Sequence, residues 1–265
     1  MSIEKGKKPK VRICKEDIQA SLRELGLKKG DIVGVHSSLS SLGHMEGGAD
    51  AVIDALLEVV GEEGTLVMPT YSANRIEVER TQEEIAMGVT WKFKLLPYNP
   101  KETPCWTGTI PETFRKRKNV YRSLHPTHSI AATGRHAKEI VEVEDSSALK
   151  GWRKLLELDG YILLIGVGLD SCSAMHLTEE GIQLPRHIID KITPPSWFVQ
   201  KYSEEEWDVG YGPYPEFSKM EKPCLESKIM KTVKVGDATL KLVKLRDLIK
   251  LYAECLGKNP DHFYR

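Results

Sequence analysis

The sequence predicts an α/β fold: a single domain with a largely parallel central sheet flanked by helices. Short apolar runs alternate with amphipathic segments, the order that places a helical crossover between parallel strands. The run Tyr161–Val167 is apolar throughout, as a strand buried on both faces requires. The chain has 265 residues, 40% of them hydrophobic, and no clear linker divides it. We therefore expect one domain over residues 1–265.

The first part of the chain carries the clearest strand–helix–strand pattern. Glu16–Leu25 has apolar residues on one helical face, and Gly26 is placed to end the helix. Asp31–His36 is then a short branched strand, Ala49–Val60 a second amphipathic helix and Thr65–Thr70 another strand. This order predicts a parallel β-α-β unit.

The remaining elements are separated by less regular sequence. Tyr71–Thr107 mixes charges, prolines and a helical fragment around Glu83–Met87, and a loop of this length is usually functional or mobile. Ser203–Lys222 is acidic, aromatic and rich in glycine and proline, which indicates a surface excursion. Further predicted elements are helix Ile110–Lys118, strand Ser129–Thr133, helix Arg135–Val141, helix Ala174–Gly181 and a final helix at about Leu240–Cys255.

Charge and cysteine content argue against several classes of protein. Lys plus Arg and Asp plus Glu both total 38, so the basic excess typical of a nucleic-acid-binding protein is missing. The five cysteines show no C-x-x-C spacing, which indicates free thiols in a reducing cytoplasm. Met1–Lys10 is polar and lysine-rich, and we expect neither a signal peptide nor a membrane anchor. We expect a cytoplasmic protein whose oligomeric state the sequence does not indicate.

Three predicted strands end in small, hydroxyl-bearing or histidine residues. His36–Leu39 follows the first strand, Thr70-Tyr71 the second and Gly166–Ser171 the third. Ligands of open α/β sheets bind at the carboxyl ends of strands, so these segments are expected to line one crevice. The hydroxyls and backbone N–H groups of Ser37–Gly43 suit a phosphate or amide ligand, although serine-rich turns are more often simple turns.

Two segments place histidines beside other polar groups. Arg122–Ser129 contains His125 and His128, and His176 shares one helical face with Glu179. A histidine accepts a proton near neutral pH, and a carboxylate can hold its tautomer. From the residues alone, His125 fits a catalytic and a structural role equally. Three other histidines are interpreted as structural: His136, His187 and His262.

Other kinds of site fit the residues less well. His125, His128, His176 and Glu179 have zinc-binding chemistry, but no H-E-x-x-H or comparable spacing is present. A serine hydrolase of the α/β type would carry a G-x-S-x-G elbow, which the chain lacks. The segment Gly166–Ser171 departs from the dinucleotide fingerprint at its third glycine. We therefore predict no metal and no dinucleotide.

Taken together, these segments resemble the aminoglycoside 3-N-acetyltransferase family. The most specific blocks are Thr107–Arg115, which reads TGTIPETFR, and Arg-Ser-x-His-Pro-x-x-Ser from Arg122 to Ser129. Further matching segments, in the same order as in the family, are His36–Leu39, Gly64–Thr70, Tyr161–Gly166, His176-x-x-Glu179 and Val235–Ala238. The resemblance implies a single α/β domain, distinct in fold from the GNAT acetyltransferases, that transfers the acetyl group of acetyl-CoA to an amine.

The resemblance also implies roles for individual residues. His125 takes the place of the catalytic histidine and Glu179 that of the supporting carboxylate. We expect direct transfer in a ternary complex and not a covalent acyl-enzyme, because none of the five cysteines falls in a matched catalytic place. In this reaction His125 would be the general base, and a donor near Thr70 would stabilise the oxyanion. The residues expected at the coenzyme are His36, Ser37, Ser38, Leu39, Thr70, Tyr71, Thr107, Gly108, Thr109, Arg122 and Ser129.

The acceptor implied by the resemblance is the 3-amino group of a 2-deoxystreptamine aminoglycoside. A divergent relative would acetylate another amine, such as an amino sugar or an amino-phosphonate. A polycationic acceptor calls for an acidic site, and two loops are candidates to supply it: Glu77, Glu79, Glu83 and Glu84, and Glu204, Glu205, Glu206 and Asp208. A metal-dependent hydrolase and a non-catalytic CoA-binding protein are lower-ranked alternatives.

Overall fold

The computed structural model describes residues 12–142, 147–202 and 206–264. Within these ranges the strands are β1 (Arg12–Ile13), β2 (Ile32–Ser37), β3 (His44–Met45), β4 (Thr65–Pro69), β5 (Arg75–Glu77), β6 (Val89–Leu95), β7 (Tyr121–Arg122), β8 (Ile130–Gly134), β9 (Tyr161–Ile165), β10 (Trp207–Tyr211), β11 (Met230–Val235) and β12 (Ala238–Lys244). The α-helices are α1 (Lys15–Leu25), α2 (Gly48–Val60), α3 (Gln82–Ala86), α4 (Thr109–Phe114), α5 (Ala137–Val141), α6 (Lys150–Glu157), α7 (Leu177–Gly181), α8 (Arg186–Ile192), α9 (Ser196–Lys201), α10 (Glu221–Glu226) and α11 (Leu245–Lys258).

The larger of the two sheets that position the site is mixed. Its seven strands have the order β11-β12-β9-β2-β4-β8-β7. Only the central strands β9, β2 and β4 run parallel, and the outer pairings are antiparallel. The predicted α/β class holds, but the prediction of a largely parallel sheet is wrong. One reason is the tight turn from Val235 to Ala238, which joins β11 to β12, because a hairpin connects only antiparallel strands.

β2, α2 and β4 form the parallel β-α-β unit that the sequence predicts. β2 and β4 pair in parallel, with Val33 opposite Leu66. Gly26 after α1 has φ 103° and Gly61 after α2 has φ 66°, the left-handed side of φ that glycine adopts without a steric penalty. The two glycines therefore end both helices where the sequence places the ends.

A second, three-stranded antiparallel sheet joins two segments that the sequence presents as irregular. β6 pairs with β5 on one side and with β10 on the other. β5 and β6 lie within Tyr71–Thr107, and β10 lies within Ser203–Lys222. The prediction of a loop and a surface excursion is therefore wrong for these strands. Their stability depends on partners elsewhere in the chain, which local propensity does not reveal.

Apolar side chains cover both faces of the seven-stranded sheet. Along β9, Ile162 and Leu164 belong to the core on one face, and Leu163 and Ile165 to the core on the other. This alternation is the two-residue period of a strand. Residues of α6 and α11 pack in the core that contains Ile162 and Leu164, and residues of α1 and α2 pack in the core that contains Leu163 and Ile165. Because both faces of the sheet are covered, a ligand can reach the sheet at the ends of its strands.

Three predicted helix boundaries differ from the structure. Leu240–Lys244 belongs to β12, and the last long helix begins at Leu245. The helix predicted to reach Lys118 ends as α4 at Phe114. The helix predicted from Ala174 is a 3-10 helix, Ser173–His176, followed by α7. Over the residues described, no helix is both long and apolar enough to cross a membrane.

Candidate active site

A cavity of about 270 Å³, here called the sheet-edge cavity, lies at the carboxyl ends of β2 and β4. It is lined by His36, Ser37, Pro69, Tyr71, Trp106, Thr107, Pro111, Val167, Asp170, Ser171 and Ser173. Parallel strands bring their carboxyl ends to the same edge of a sheet, and this is why residues distant in sequence meet here. The crevice predicted from the strand ends is therefore present in the structure.

His36 and Ser37 place unpaired polar atoms at this cavity. His36 Nε2 and Ser37 Oγ are buried, and neither has a hydrogen-bond partner among the described residues. The His36 ring stacks on Trp152 with a centroid distance of 5.2 Å, and burial lowers the pKa of His36 to about 4. The ring is therefore neutral at pH 7. Because buried polar groups are normally hydrogen-bonded, these atoms indicate a ligand or an ordered water.

The loop after β2 is held together by its own hydroxyl groups. Ser38 Oγ lies 3.1 Å from Ser40 Oγ, and Ser41 Oγ donates to Ser38 Oγ at 2.9 Å. The Ser38 backbone N–H donates to Ile165 O, and Leu39 packs on the core. Of the predicted coenzyme residues in this loop, Ser37 lines the cavity, whereas Ser38 and Leu39 shape the loop.

The segment before α4 forms another wall of the sheet-edge cavity. Thr107 lines it and donates from Oγ1 to Pro69 O at 2.6 Å. Gly108 precedes α4 with φ 121°, a backbone conformation that side chains other than glycine rarely adopt. Thr109 is exposed at the first position of the helix. Of the three residues predicted here to contact the coenzyme, Thr107, Gly108 and Thr109, it is Thr107 that lines the cavity.

Arg122 lies at the centre of a partly buried hydrogen-bond network. Its Nε donates to Thr70 Oγ1 and Ser129 Oγ at 3.2 and 3.1 Å. Its two terminal nitrogens donate to the carbonyl oxygens of Thr70 (2.6 Å), Thr103 (2.5 Å) and Pro100 (3.2 Å) and to Ser72 Oγ (3.4 Å). All five guanidinium N–H groups are thereby used within the chain. We interpret Arg122, Thr70 and Ser129 as residues that position the surrounding loops.

Tyr71 connects the sheet-edge cavity with the histidine block. Its ring centroid lies 4.8 Å from that of His128 and 6.0 Å from that of Trp106. Burial raises the pKa of Tyr71 to about 12 and lowers that of His128 to about 4. Both side chains are therefore neutral at pH 7.

A second cavity, of about 330 Å³, is here called the aromatic cavity. It is lined by His176, Glu179, Ile192, Pro194, Phe198, Val209, Tyr211, Pro213, Tyr214, Pro215 and Tyr264. His176 Nδ1 lies 3.0 Å from Glu179 Oε2, and the His176 ring packs against Phe217 at 4.8 Å. The carboxylate favours a proton on Nδ1, which leaves the Nε2 lone pair of the neutral ring to accept a proton.

His125 has a different hydrogen-bond arrangement. Its Nδ1 accepts the backbone N–H groups of Thr127 at 3.2 Å and His128 at 2.9 Å. With Nδ1 as acceptor, the neutral ring carries its proton on Nε2, so Nε2 is a donor. Protonation of Nδ1 would break both hydrogen bonds. Glu179, predicted to support His125, instead has His176 as its hydrogen-bonded imidazole.

The predicted acidic residues do not act as one group. Glu84 is buried and pairs with Lys92 and Lys201, both at close to 3 Å, so its charge is compensated. Asp208 lies 3.4 Å from Arg75 and accepts from Trp91 Nε1 at 3.2 Å. Glu77, Glu79 and Glu83 are exposed. Glu204 and Glu205 lie outside the described residues, whereas Glu206 is exposed and pairs with Lys94.

The residues considered for a metal site do not form one. Within residues 12–142, 147–202 and 206–264, no group of three or more His, Cys, Asp and Glu side chains is arranged to hold a metal ion.

Comparison with known proteins identifies the family. The family model described as aminoglycoside 3-N-acetyltransferase matches residues 35–257. The SPbeta prophage-derived aminoglycoside N(3')-acetyltransferase-like protein YokD of Bacillus subtilis (strain 168) is 34% identical over 250 residues, which cover 89% of either chain. The chain belongs to the aminoglycoside 3-N-acetyltransferase family. The family and the enzyme class predicted from the sequence are confirmed.

Solved acetyltransferases of this type share the fold. Aminoglycoside acetyltransferase AAC(3)-IVa, as a histidine-to-alanine variant in complex with apramycin, aligns with a TM-score of 0.72 and 26% identity over 96% of both chains. AAC-IIIb, solved as a binary complex with CoASH, aligns with a TM-score of 0.75 and 22% identity, covering 96% of this chain and 98% of that one. The overall fold described above is therefore shared with these acetyltransferases.

Several cavity residues of this acetyltransferase-family chain escape sequence reasoning. Trp152 lies behind His36, and Ser173 lines the sheet-edge cavity, yet neither belongs to a motif noted in the sequence. Tyr211 and Tyr214 come from the segment that the sequence presents as an excursion. The sequence feature that could have indicated a role for these two tyrosines is the high proportion of aromatic and proline residues between Tyr211 and Pro215.

Proposed function

We propose that the protein transfers the acetyl group of acetyl-CoA to an amine, with His176 as general base and Glu179 as its orienting carboxylate. One observation carries the proposal. The 3-10 helix Ser173–His176 has Ser173 on the sheet-edge cavity and His176 on the aromatic cavity. A 3-10 helix rises about 2 Å per residue, so these two side chains start about 6 Å apart along its axis. A donor in one cavity and an acceptor in the other would meet at His176.

The sheet-edge cavity suits the acyl-donor arm. The pantetheine part of CoA is an extended chain with amide and thioester groups, which need isolated hydrogen-bond partners. Ser37 Oγ and His36 Nε2 are buried atoms of this kind, and no described residue satisfies them. Neutral His36 and Ser37 offer hydrogen bonds without bringing a charge to the thioester. The complex of AAC-IIIb with CoASH supports a CoA ligand for this fold.

The chemistry follows from the orientation of His176. The acceptor ammonium must lose a proton before its nitrogen lone pair attacks the thioester carbon. His176 Nε2 accepts that proton, while Nδ1–H donates to Glu179, whose negative charge stabilises the imidazolium. The carbon–sulfur bond then breaks, the nitrogen of the new amide loses its second proton to solvent, and the thiolate takes the proton held by His176 to leave as CoASH. No covalent acyl-enzyme is required.

His176 replaces His125 in this proposal because of tautomer geometry. The two backbone N–H groups at His125 Nδ1 assign the proton of the neutral ring to Nε2, so that ring presents no lone pair for a substrate proton. His128 Nδ1 lies 2.7 Å from Thr127 Oγ1, and burial lowers its pKa to about 4. The role of His125 as base stays a prediction from the family resemblance, and mutagenesis distinguishes the two histidines.

Acetyl-CoA consumption tests the proposal. Purified protein is incubated with acetyl-CoA and a panel containing apramycin, glucosamine and aromatic monoamines, and the release of CoASH is followed. A 2-deoxystreptamine aminoglycoside acetylated at its 3-amino group is one candidate acceptor, supported by the apramycin complex of AAC(3)-IVa. A different amine is the alternative. The transferase assignment would be contradicted if none of the amines led to release of CoASH and if CoA left the melting temperature of the protein unchanged.

A further inference from the structure

We infer that a second ammonium group of the acceptor, besides the one that reacts, binds at Asp208 by displacing the guanidinium group of Arg75. The inference rests on the transferase function proposed above. In the free protein the Arg75 guanidinium contacts Asp208 and two aromatic rings. A carboxylate beside aromatic faces is a site for cations, and Arg75 occupies this one.

Strand pairing brings Arg75, Phe93 and Asp208 to one face of the three-stranded sheet. Phe93 on β6 lies opposite Asp208 on β10 and opposite Glu77 on β5. Arg75 is two residues before Glu77, and side chains two residues apart along a strand lie on the same face. The register of three strands therefore assembles the site.

Aromatic faces hold the Arg75 guanidinium. Its Cζ lies 4.1 Å from the centroid of the Phe93 ring and 4.7 Å from that of the Trp106 ring. Both distances are below the limit of about 6 Å at which a cation is attracted to the face of a ring. Because this attraction depends on positive charge, an ammonium group in the same place is also attracted.

The ion pair between Arg75 and Asp208 is loose. Arg75 Nη1 lies 3.4 Å from Asp208 Oδ2, whereas Arg115 donates twice to Glu112 at 2.6 Å. Charge-assisted N–H···O bonds usually measure about 2.7–2.9 Å. Trp91 Nε1 donates to the other oxygen of Asp208, Oδ1, at 3.2 Å. The carboxylate is therefore fixed by Trp91, while its cation can be exchanged.

The site lies beside both cavities. Trp106, which contacts Arg75, also lines the sheet-edge cavity. Trp91, which contacts Asp208, stacks on Tyr214 of the aromatic cavity with a centroid distance of 4.8 Å. A group bound at Asp208 would therefore lie near the space in which the two substrates meet.

His128 lies within electrostatic range of both this cation site and the proposed base. Burial lowers the pKa of His128 to about 4, the negative charge of Asp208 opposes that effect, and the charges of Arg75 and His176 act on the same ring. An acceptor with amines on neighbouring rings is therefore expected to place one amine at His176 and another at Asp208.

Displacement of Arg75 makes the site selective for charge. The side chains of Arg75 and Asp208 are 22% and 13% exposed, so solvent screens their charges less than those of a surface pair. A second ammonium keeps Asp208 paired when Arg75 leaves, whereas an acceptor with one amine has no group to put there. Because a site that is available part of the time binds more weakly by that fraction, Arg75 lowers the affinity for polycationic acceptors.

The first experiment compares apramycin, which has several amines, with glucosamine, which has one, at saturating acetyl-CoA. We expect Asp208→Asn to lower the ratio of kcat/KM for apramycin to that for glucosamine by about tenfold, the effect of one charged hydrogen bond, mainly through KM for apramycin. Arg75→Met should raise the same ratio by about threefold or more, because it removes the competing cation. Arg75→Lys keeps the cation and should return the ratio toward the wild-type value.

The control is Arg135→Met, which removes an exposed ion pair with Glu63 and should leave the ratio unchanged. An equal ratio in wild type, Arg75→Met and Asp208→Asn would overturn the inference and leave the transferase function intact. Turnover of glucosamine without turnover of apramycin would do the same. If wild-type protein releases no CoASH with any amine and is not stabilised by CoA, the transferase function itself is contradicted.

The second experiment measures stability and does not depend on activity. Arg75→Ala removes the side chain that fills the site, and ethylguanidinium is added as a substitute for the missing group. We expect ethylguanidinium to raise Tm of Arg75→Ala relative to Tm of Arg135→Ala, because a ligand that binds the native state stabilises it. Apramycin should likewise raise Tm of Arg75→Ala more than that of wild type. Equal shifts in Arg75→Ala and Arg135→Ala with both compounds would overturn the inference.

Discussion

Glu179 Oε2 and His176 Nδ1 lie 3.0 Å apart across one turn of chain, at the junction of the 3-10 helix and α7. This contact determines which imidazole nitrogen remains available. Glu179 accepts a hydrogen bond from the Nδ1–H group, so Nε2 is the nitrogen that can act as a base. In His125 the backbone N–H groups of residues 127 and 128 produce the opposite tautomer. The hydrogen bonds of the two rings therefore lead to different predictions for their variants.

His176→Ala is expected to lower kcat by about two to four orders of magnitude, the usual contribution of a positioned base, while CoA binding is retained. Glu179→Gln should cost less, because it keeps the base and removes only its orienting charge. The double variant should be scarcely worse than His176→Ala, since residues that act as a unit are not additive. Steady-state release of CoASH measures all three.

His125→Ala and His128→Ala are the matched comparisons for that series. If His125→Ala loses more activity than His176→Ala, with both variants folded and binding CoA, then His125 is the base, as the family resemblance implies.

Ser37→Ala is expected to weaken CoA binding without destabilising the free protein. Its buried Oγ has no partner in the described chain, so its removal costs the unliganded protein little. In the complex it would remove one hydrogen bond, worth about 1 kcal/mol or about a fivefold change in Kd. Calorimetry measures Kd, and thermal denaturation with and without CoA measures Tm, which a ligand specific for the native state raises.

Ser129→Ala is the contrasting variant for Ser37→Ala. Ser129 Oγ donates to Thr70 O at 2.6 Å and accepts from Arg122. Its loss should lower Tm, because it leaves buried groups unpaired. Equal effects of the two serine variants on Tm would contradict the distinction between an unpaired and a paired hydroxyl.

Arg122→Met is expected to destabilise the protein by on the order of 3 kcal/mol, because carbonyl and hydroxyl groups of several loops lose a charged donor. Arg186→Met serves as the control. Arg186 forms an exposed pair with Asp190 at 2.9 Å, and such pairs contribute about 0–1 kcal/mol. Urea denaturation gives both free energies of unfolding. A loss at Arg122 no larger than at Arg186 would exclude the positioning role.

The stability of the protein should decrease as the pH falls from about 6.5 to about 4. The pKa of His36 is lowered from 6.5 to about 4 by burial, so in this window the unfolded chain binds a proton that the native protein does not. Stability from this group is complete above pH 6.5 and is lost as the pH falls toward 4, with a slope of about 1.4 kcal/mol per pH unit. His128 contributes in the same direction.

His36→Phe isolates the contribution of the first ring. The slope of unfolding free energy against pH should decrease by about one proton, whatever the absolute stability of the variant. Urea denaturation at a series of pH values measures the slope. An unchanged slope would show that His36 protonates freely in the native state.

The β-α-β unit was predictable because its signals are local. The apolar face that predicts α2 is formed by residues of α2 itself, and Gly61, which predicts the end of the helix, directly follows its last residue. The small sheet shows the opposite case. Trp91 on β6 contacts Asp208 on β10, 117 residues later, and no window of sequence shows that pairing. The alternating burial of Leu240 and Leu242 was mistaken for part of a helix because both periods are compatible with a short apolar run.

The candidate site was predictable as a set of segments and only partly as a set of roles. The sequence places His36, Ser37 and Thr107 at strand and helix ends, and these residues line one cavity. It does not show that the Arg122 donors are all used inside the chain. Nor does it show which hydrogen-bond partner reaches the Nδ1 atom of His125 and that of His176. Tautomers follow from three-dimensional hydrogen bonds, and a motif records only residue types.

In the proposed reaction, the three-stranded sheet would contact the acceptor, whereas the seven-stranded sheet would contact the acyl donor. β10 supplies Val209 and Tyr211 to the aromatic cavity, and its one partner among the described strands is β6. His36 and Ser37 belong to β2 in the middle of the other sheet. A mutant library confined to β10 and residues 213–215 should therefore retarget the enzyme toward new amines without loss of its acyl donor. Such a scaffold is suited to directed evolution, because the wall that is varied lies on a different sheet from His36 and Ser37.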